Sequence, residues 1–229
     1  MRRSRTPGVV LVVLAVVGVV GATFWLTRSS PKVLLIGDSL MAETAPYVKR
    51  SASADVTSVA LPGTGLVSRQ QFDWVTASQR LASRRPDVVV ALFVGNCRDP
   101  AGLDPAHPVP CDSPAFFAQW GQAADAITTA FEQRGAHVYW VIPPPMREPV
   151  YEARVTELTT LYRDLARTHP HVGFVDGRRA LGTPSGAFLA TAPGPAGRPE
   201  PLRTADGVHL TDLGAQRLAQ AIVSTTALG

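Results

Sequence analysis

The chain is poor in the residues that hold metals and cofactors. Its 229 residues include two cysteines and five histidines, and none of them stand at the spacing of a metal site. A P-loop, a dinucleotide-binding glycine fingerprint and a Gly-x-Ser-x-Gly elbow are also missing. These absences argue against a metalloenzyme and against a nucleotide-dependent enzyme, so we expect no cofactor and no metal.

The chain also has little excess charge of either sign. Its formal net charge is +4, but Arg2, Arg3 and Arg5 lie ahead of the first apolar segment. Without residues 1–27, 19 basic residues stand against 18 acidic ones. Because a nucleic-acid-binding surface needs a basic patch, no nucleic-acid partner is expected. With 45% hydrophobic residues, the chain can bury one full-sized core.

Nineteen consecutive residues without a charge, Gly8 to Leu26, follow the N-terminal arginines. As a helix rising about 1.5 Å per residue, this segment would cross the roughly 30 Å hydrocarbon layer of a bilayer. Arginines tend to stay on the cytoplasmic side. The sequence therefore predicts a cytoplasmic basic tail at residues 1–7, a transmembrane signal-anchor at 8–27 and an extracytoplasmic domain at 28–229, in a single-pass protein of the bacterial cell membrane.

The end of the apolar segment supports a second hypothesis. Val20-Gly21-Ala22 loosely resembles a signal-peptidase site, and cleavage there would give a secreted protein. The length of the segment and the interfacial position of Trp25 favour an uncleaved anchor. About five residues then separate Leu26 from the first strand at Lys32. An anchor would hold the domain near the outer leaflet, where lipids and envelope polymers are the available substrates.

Beyond this segment, short apolar runs alternate with longer amphipathic stretches. The alternation predicts an α/β protein, a three-layer α/β/α sandwich with a five-stranded parallel sheet. The predicted strands are Lys32–Ile36, Val56–Leu61, Val88–Val94, His137–Ile142 and Val172–Val175. The predicted helices are Met41–Ser51, Ser68–Arg84, Ser113–Arg134, Tyr151–Thr168 and Thr211–Ala227. Residues 192–201, rich in proline and glycine, are predicted as a loop, either over the substrate pocket or as a solvated connector.

A serine, an aspartate and a histidine are the candidates for the chemistry. Ser39 follows the first strand across Gly37, at a predicted strand-to-helix junction that exposes its hydroxyl and its backbone N–H. A serine nucleophile needs a base to take its proton, and the base needs a carboxylate to fix its tautomer. Asp206 and His209, three residues apart before the last helix, can supply both groups.

Four short motifs resemble those of the SGNH, or GDSL, hydrolase family over residues 32–227. Gly37-Asp38-Ser39-Leu40 matches the first block of the family, and Asp206-Gly207-Val208-His209 matches the fifth. Pro62-Gly63-Thr64-Gly65 resembles the second block and Val94-Gly95-Asn96-Cys97 the third. The resemblance implies the SGNH-hydrolase (flavodoxin-like) architecture and a catalytic triad of Ser39, His209 and Asp206.

The resemblance also implies an oxyanion hole. In the family its donors are the nucleophile N–H, a second-block glycine N–H and the third-block asparagine side chain, which correspond here to Ser39, Gly63 and Asn96. Either Gly63 or Gly65 could present the glycine donor, and we prefer Gly63 because it follows the predicted strand most directly. Removing one donor from such a hole typically costs about a hundredfold to a thousandfold in rate.

The third block departs from the family pattern at two positions. Val94 stands where the family has a glycine, and Cys97 stands where it has an aspartate. An oxidising exterior favours a disulfide between Cys97 and Cys111, and such a bridge would fix the loop that follows Asn96. Two free buried thiols are the alternative.

Together these residues predict a serine-dependent esterase or lipase. Ser39 would attack an ester-linked acyl group of a lipid or an envelope polysaccharide, His209 would move the proton, and Asp206 would orient His209. With a sugar hydroxyl as acceptor in place of water, the same residues would form an O-acyltransferase, such as an O-acetyltransferase of envelope glycans. A noncatalytic envelope-binding protein that kept the fold is the third hypothesis.

Overall fold

Five parallel strands form the centre of the domain, and each of them overlaps a predicted strand. The computed structural model describes residues 30–98, 101–104 and 106–229. The strands of the main sheet are β1 (Lys32–Gly37), β2 (Asp55–Ala60), β3 (Val88–Leu92), β4 (His137–Ile142) and β5 (Val172–Asp176). A separate two-stranded sheet contains β6 (Thr191–Pro193) and β7 (Pro199–Pro201).

Helices follow the strands of the main sheet. They are α1 (Ser39–Ser51), α2 (Trp74–Ala82), α3 (Pro114–Glu132), α4 (Pro149–Thr168), α5 (Gly177–Leu181) and α6 (Asp212–Thr225). Four of the longer helices begin after a side chain that accepts a hydrogen bond from a first-turn N–H, namely Asp38, Asp73, Ser113 and Thr211. Such caps satisfy donors that a helix leaves open at its start.

The strand order of the main sheet is β2-β1-β3-β4-β5, and every pair is parallel. This is the flavodoxin-like order, and the predicted α/β architecture is confirmed. The order reverses between β1 and β3, because the chain first runs outward to β2 and then returns past β1. Ligands of open α/β sheets bind beside the carboxyl ends of the strands at such a switch point.

Alternate residues of β1 pack into two separate apolar clusters, one on each face of the sheet. Val33 and Leu35 pack in the cluster that contains residues of α1 and α6. Leu34 and Ile36 pack in the cluster formed with α2, α3 and α4 on the other face. All four side chains are at most 2% exposed. A strand that is buried on both faces has a continuous apolar sequence, which explains why β1 could be predicted from composition alone.

Buried aromatic side chains fasten α3 and α4 to the backbone just past β3. The indole N–H of Trp120 donates to the hydroxyl of Tyr162 at 3.1 Å, and this hydroxyl donates to the carbonyl oxygen of Phe93 at 3.3 Å. All three residues are fully buried. Because buried polar groups need partners, these hydrogen bonds fix the chain where the third motif begins.

The predicted helix Ser68–Arg84 is wrong over its first six residues. Ser68 forms an isolated bridge with Gly102, and residues 69–73 are turn and irregular backbone. Helix α2 begins only at Trp74 because the Asp73 side chain accepts the N–H of Thr76 at 2.9 Å. An acidic residue that could lie inside a helix acts here as its cap, since its carboxylate competes with the helical hydrogen bonds.

Two other expectations differ from the structure. The predicted strand Val88–Val94 ends at Leu92, because the N–H of Val94 donates to Asp38 Oδ2 at 2.8 Å instead of extending the ladder. Residues 192–201, predicted as a loop, largely form the β6–β7 hairpin, which the N–H of Gly194 closes by donating to the Arg198 carbonyl at 2.8 Å. The short helix α5 was not predicted.

The predicted N-terminal elements cannot be compared with the structure. The basic tail at residues 1–7 and the signal-anchor at 8–27 lie outside the described residues. Within the described ranges, no helix is long and apolar enough to span a bilayer. From Pro31 to Gly229 the chain forms one compact unit.

Candidate active site

Ser39 is the first residue of α1 and lies at the carboxyl end of β1. The turn before it needs glycine, since a Cβ on Gly37 would lie 2.2 Å from the carbonyl oxygen of Leu92. Asp38 caps the helix through Oδ1, which accepts the N–H of Leu40 at 3.1 Å. The N–H of Ser39 is one of the first-turn donors that a helix leaves without an internal partner. The candidate nucleophile therefore carries its own backbone donor.

The side chains of Asp206, His209 and Ser39 form an uninterrupted line of hydrogen bonds. His209 Nδ1 lies 2.6 Å from Asp206 Oδ2, and His209 Nε2 lies 3.1 Å from Ser39 Oγ, across 170 positions of sequence. The His209 side chain is 41% exposed, whereas Ser39 is only 9% exposed. The geometry suits proton transfer from the serine hydroxyl to an imidazole that solvent can reach.

Hydrogen bonds keep Asp206 ionised. Partial burial would raise its pKa, but hydrogen bonds from the His209 ring, the Val208 N–H and the Thr204 hydroxyl hold that pKa well below its usual range. Asp206 Oδ1 accepts from the N–H groups of Val208 and His209 at 2.8 and 3.0 Å and from Thr204 Oγ1 at 2.8 Å. Oδ2 is therefore available to fix the His209 tautomer whose Nε2 can accept a proton.

The pKa of His209 is shifted in the opposite direction to that of Asp206. Its hydrogen bond with Asp206 raises the pKa of the imidazole, burial opposes this effect, and the nearby charge of Glu43 adds to it. A raised pKa makes His209 a stronger base toward the Ser39 hydroxyl and stabilises the imidazolium once it has formed.

Asn96 reaches the same end of the sheet, but its carboxamide is already engaged. Nδ2 donates to Asp38 Oδ2 and to the carbonyl oxygen of Thr64, both at 3.2 Å. These acceptors use both hydrogens of the amide, so in this conformation Asn96 braces the turn after β2. Asp38 itself is fully buried, and burial raises its pKa to about 7. The oxyanion role of Asn96 stays a prediction.

The two candidate glycines of the second motif need glycine for different reasons. Gly63 has a φ of +75°, and a Cβ there would meet nothing within 4 Å. Gly65 is buried, and a Cβ there would lie 1.9 Å from the Asn96 carbonyl oxygen. Because Gly63 is the exposed residue of the two, its N–H stays the predicted second oxyanion donor.

The predicted disulfide between Cys97 and Cys111 is present. Arg154 of α4 holds the same segment, because its Nε and Nη2 donate to the two carboxylate oxygens of Asp112 at 2.5 and 2.6 Å. Its Nη1 donates to the carbonyl oxygen of Gly95 at 2.9 Å. One covalent bond and one bidentate ion pair therefore fix the segment that follows β3.

A cavity of about 510 Å³ opens beside Asp206 and His209. Apolar and polar side chains share its lining, which includes Val94, Met146, Val208, Asn96, Tyr151 and Arg154. Sites for small molecules commonly have this size and this mixture. No group of three or more histidine, cysteine, aspartate or glutamate side chains in the described part of the chain could hold a metal ion.

Sequence reasoning missed two residues of the site, Glu43 and Arg203. Glu43 Oε2 accepts the N–H of Leu210 at 2.8 Å. Arg203 is only 5% exposed, and its Nη1 donates to the carbonyl oxygen of Val208 at 2.8 Å. The four-residue spacing from Ser39 could have indicated Glu43, since residues four apart share a helix face. The sequence around Arg203 does not indicate that its side chain is buried in the site, because arginine side chains are normally exposed.

The chain matches the model of one protein family over residues 32–225, and that family is described as a protein of unknown function, DUF459. The match runs from β1 into the last turn of α6 and so includes all the candidate site residues. No curated protein matches the chain.

Solved structures of a G-D-S-L lipolytic protein, an esterase and an acetyltransferase share the fold at low sequence identity. A lipolytic protein of the G-D-S-L family from Desulfitobacterium hafniense is 13% identical, with a TM-score of 0.61 over 84% of this chain and 98% of that one. The acetyl xylan esterase AlAXEase is 16% identical, with a TM-score of 0.60 over 85% and 98%. The C-terminal catalytic domain of peptidoglycan O-acetyltransferase A from Streptococcus pneumoniae is 15% identical, with a TM-score of 0.52 over 87% and 94%. The predicted SGNH/GDSL resemblance is confirmed at the level of the fold.

Proposed function

The chain belongs to the DUF459 family, and we propose that it is a serine-dependent acyl hydrolase of the SGNH type. The observation that carries the proposal is the hydrogen-bonded line from Asp206 through His209 to Ser39, with spacings of 2.6 and 3.1 Å. The line lies at the carboxyl ends of the strands, beside the switch point of the sheet. The fold shared with a G-D-S-L lipolytic protein and with an acetyl xylan esterase adds support. The proposed substrate is an ester-linked acyl group on a lipid or an envelope polysaccharide.

In the proposed reaction, Ser39 Oγ forms a bond to the ester carbonyl carbon while His209 Nε2 takes the hydroxyl proton. The bond to the alkoxy leaving group then breaks, and His209 returns the proton to that group. Water repeats these steps on the acyl-enzyme, which releases the acid and restores the free serine. Asp206 stays ionised throughout and stabilises the imidazolium.

Two backbone N–H groups are the proposed primary donors to the oxyanion, those of Ser39 and Gly63. They require no rearrangement of side chains and belong to turns that hydrogen bonds already fix. Asn96 can join them when its carboxamide releases the Thr64 carbonyl oxygen, 3.2 Å away. Donors held in place before the reaction are the effective ones, because no energy is spent on orienting them.

An O-acyltransferase is the second candidate. The solvent exposure of the catalytic base, His209, favours it. The side chains of His209 and Asp206 are 41% and 49% exposed, and both line the cavity. A sugar hydroxyl that enters this cavity could replace water as the acceptor. One structure with the same fold is the catalytic domain of a peptidoglycan O-acetyltransferase. Both reactions pass through the same acyl-enzyme, so only the acceptor separates them.

We propose that the activity lies outside the cytoplasm. The disulfide between Cys97 and Cys111 supports this location, since such bonds persist in oxidising compartments. The N-terminal arginines and the uncharged segment Gly8–Leu26 support a membrane anchor with the domain on the outer side. Cleavage after Ala22 would release the domain instead, and both alternatives bring it to envelope lipids and glycans.

Fluorophosphonate labelling and hydrolysis of p-nitrophenyl acetate by the full-length protein test the proposal. We expect the wild type to show both, and Ser39→Ala to lose both. Ser58→Ala is a matched control, because Ser58 is an exposed serine of β2. A folded wild type that is neither labelled nor active would contradict the proposal and would favour the noncatalytic envelope-binding hypothesis.

Product analysis separates the two candidate activities. With a labelled acetyl donor and a chitin oligosaccharide as acceptor, a hydrolase releases free acetate, whereas a transferase gives an acetylated sugar. Ser39→Ala should give neither product, since both need the acyl-enzyme.

A further inference from the structure

Glu43 connects the nucleophile helix to the loop that carries the base. It lies one helical turn beyond Ser39, so the two side chains share a face of α1. Glu43 Oε2 accepts the N–H of Leu210 at 2.8 Å, and Leu210 directly follows His209, which contacts Ser39 at 3.1 Å. Two successive turns of α1 therefore hold two successive residues of the segment 203–210, which we call the His209 loop.

Arg203 holds the His209 loop at its base. Its buried guanidinium donates to the carbonyl oxygens of Val208 at 2.8 Å and Pro145 at 3.0 Å. The backbones of Arg203 and Leu210 also form an antiparallel bridge that closes the loop. With this base fixed, the contacts of Glu43 with Leu210 and of Ser39 with His209 join the loop to α1.

Charges of both signs surround Glu43. Burial raises its pKa, whereas the Leu210 N–H and the charges of His209 and Arg203 lower it, and Asp206 again raises it. Of the acidic groups that raise the pKa of His209, Asp206 has the largest effect through its hydrogen bond, followed by Glu43. Asp38 raises this pKa less. The proton that His209 takes from Ser39 therefore places a positive charge near three carboxylates.

We propose that Glu43 is a positioning residue of the acyl-transfer reaction, which fixes the His209 loop on α1 and stabilises the imidazolium through its negative charge. This inference rests on the proposed function. Glu43 bonds the backbone N–H of Leu210, so it acts on His209 through the loop and through its charge, and these two effects are separable. The hydrogen bond to Leu210 sets geometry, and the charge sets the basicity of His209.

Two substitutions in the full-length protein separate these effects. Glu43→Gln keeps an oxygen that can accept the Leu210 N–H but removes the charge, whereas Glu43→Ala removes both. Lys49→Ala is the matched control, because Lys49 is exposed on the same helix. The measurements are kcat and KM for p-nitrophenyl acetate as a function of pH, and the NMR titration of the His209 ring, assigned with His209→Gln.

We expect Glu43→Gln to move the acid limb of kcat/KM and the His209 titration midpoint to lower pH. Glu43→Ala should also lower kcat about tenfold to a hundredfold with little change in KM, since a misplaced base loses much of its contribution of about 10² to 10⁴. Lys49→Ala should change none of these quantities. A merely structural role would lower thermal stability without moving the His209 titration.

Each alternative outcome has a separate meaning. If both Glu43 variants keep the wild-type kcat and His209 titration while Ser39→Ala is inactive, the positioning role is wrong and the proposed function stands. If the folded wild type neither cleaves the ester nor is labelled by a fluorophosphonate, the proposed function is wrong. An unchanged His209 midpoint in Glu43→Gln overturns the coupling to Glu43 in either case. If Glu43→Ala does not fold, Glu43→Gln alone decides.

Discussion

Asp38 Oδ2 accepts a hydrogen bond from Asn96 Nδ2 at 3.2 Å, across 58 positions of sequence. The same oxygen accepts the N–H of Val94 at 2.8 Å, and the second amide hydrogen of Asn96 goes to the Thr64 carbonyl. The buried carboxylate thus joins the first motif to the third, and Asn96 joins the third to the second. To bind an oxyanion, Asn96 must exchange one of these two acceptors, and Thr64 is the uncharged one.

We expect Asn96→Ala to lower kcat about a hundredfold, the cost of losing one oxyanion donor. Labelling of Ser39 by a fluorophosphonate should be partly retained, because the nucleophile and its base are unchanged. Thermal unfolding of the variant serves as the control for the lost bracing of the second motif. A kcat close to that of the wild type would show that Asn96 only braces the turn and that backbone N–H groups alone form the hole.

We expect Asp206→Asn to lower kcat by about three to four orders of magnitude, because an amide no longer selects the required His209 tautomer. The pH dependence of the activity follows from the direction in which the pKa of His209 is shifted. His209 acts as a base only when neutral and its pKa is raised, chiefly by Asp206, so wild-type activity falls as pH drops through that raised value. In the variant the acid limb of kcat/KM should move to lower pH.

Asp212→Asn is the control for this measurement, since Asp212 is an exposed carboxylate in the first turn of α6. It should leave both the rate and the acid limb unchanged. An Asp206→Asn variant with the same acid limb as the wild type would contradict the assigned role of Asp206.

Reduction of the Cys97–Cys111 disulfide should lower the free energy of unfolding by about 3 kcal/mol, because the unfolded chain regains the conformational entropy that closing a loop of this length removes. It should also lower kcat, because Cys97 directly follows Asn96 and the bond helps to hold that residue. The double variant Cys97→Ser/Cys111→Ser should have the stability and kcat of the reduced wild type, and added reductant should change neither. A reduced protein, with both thiols verified by mass, that keeps its melting temperature and kcat would refute this prediction.

The candidate triad could be predicted because each of its parts has a local signature. Ser39 closely follows the apolar run Val33–Ile36, and Asp206 and His209 are near neighbours in sequence. The 170 positions between His209 and Ser39 do not matter to such a prediction, since the family resemblance pairs the first motif with the fifth whatever lies between them.

The support of the triad could not be predicted in the same way. The partner of Glu43 is Leu210, 167 positions away, and the burial of Arg203 depends on carbonyl groups that only the folded chain brings together. The wrong start of α2 has a similar cause. Helix propensity allows Ser68–Asp73 to be helical, but the Asp73 side chain accepts a hydrogen bond from the N–H of Thr76 and caps the helix there. The spacing of apolar residues does not reveal a cap formed by a single side chain.

His169 joins two helices near the amino end of β5, away from the candidate active site. Its Nδ1 lies 2.6 Å from Glu132 Oε2 and its Nε2 lies 2.9 Å from Asp125 Oδ1, both in α3, while His169 itself ends α4. Burial lowers the pKa of His169, but the two carboxylates outweigh this effect and raise it. A protonated His169 donates from both ring nitrogens, one to each carboxylate.

We therefore expect His169 to make the stability of the protein depend on pH. For a group whose pKa is raised by folding, the added stability is complete below the unfolded value of about 6.5 and is lost as pH rises through the folded value. His169→Gln should thus melt well below the wild type in mildly acidic buffer, and the gap should narrow at alkaline pH. His107→Gln, at an exposed histidine, should leave the melting curve unchanged. A gap between wild type and His169→Gln that stays constant over this range would mean that packing, and not the charge of His169, holds α3 to α4.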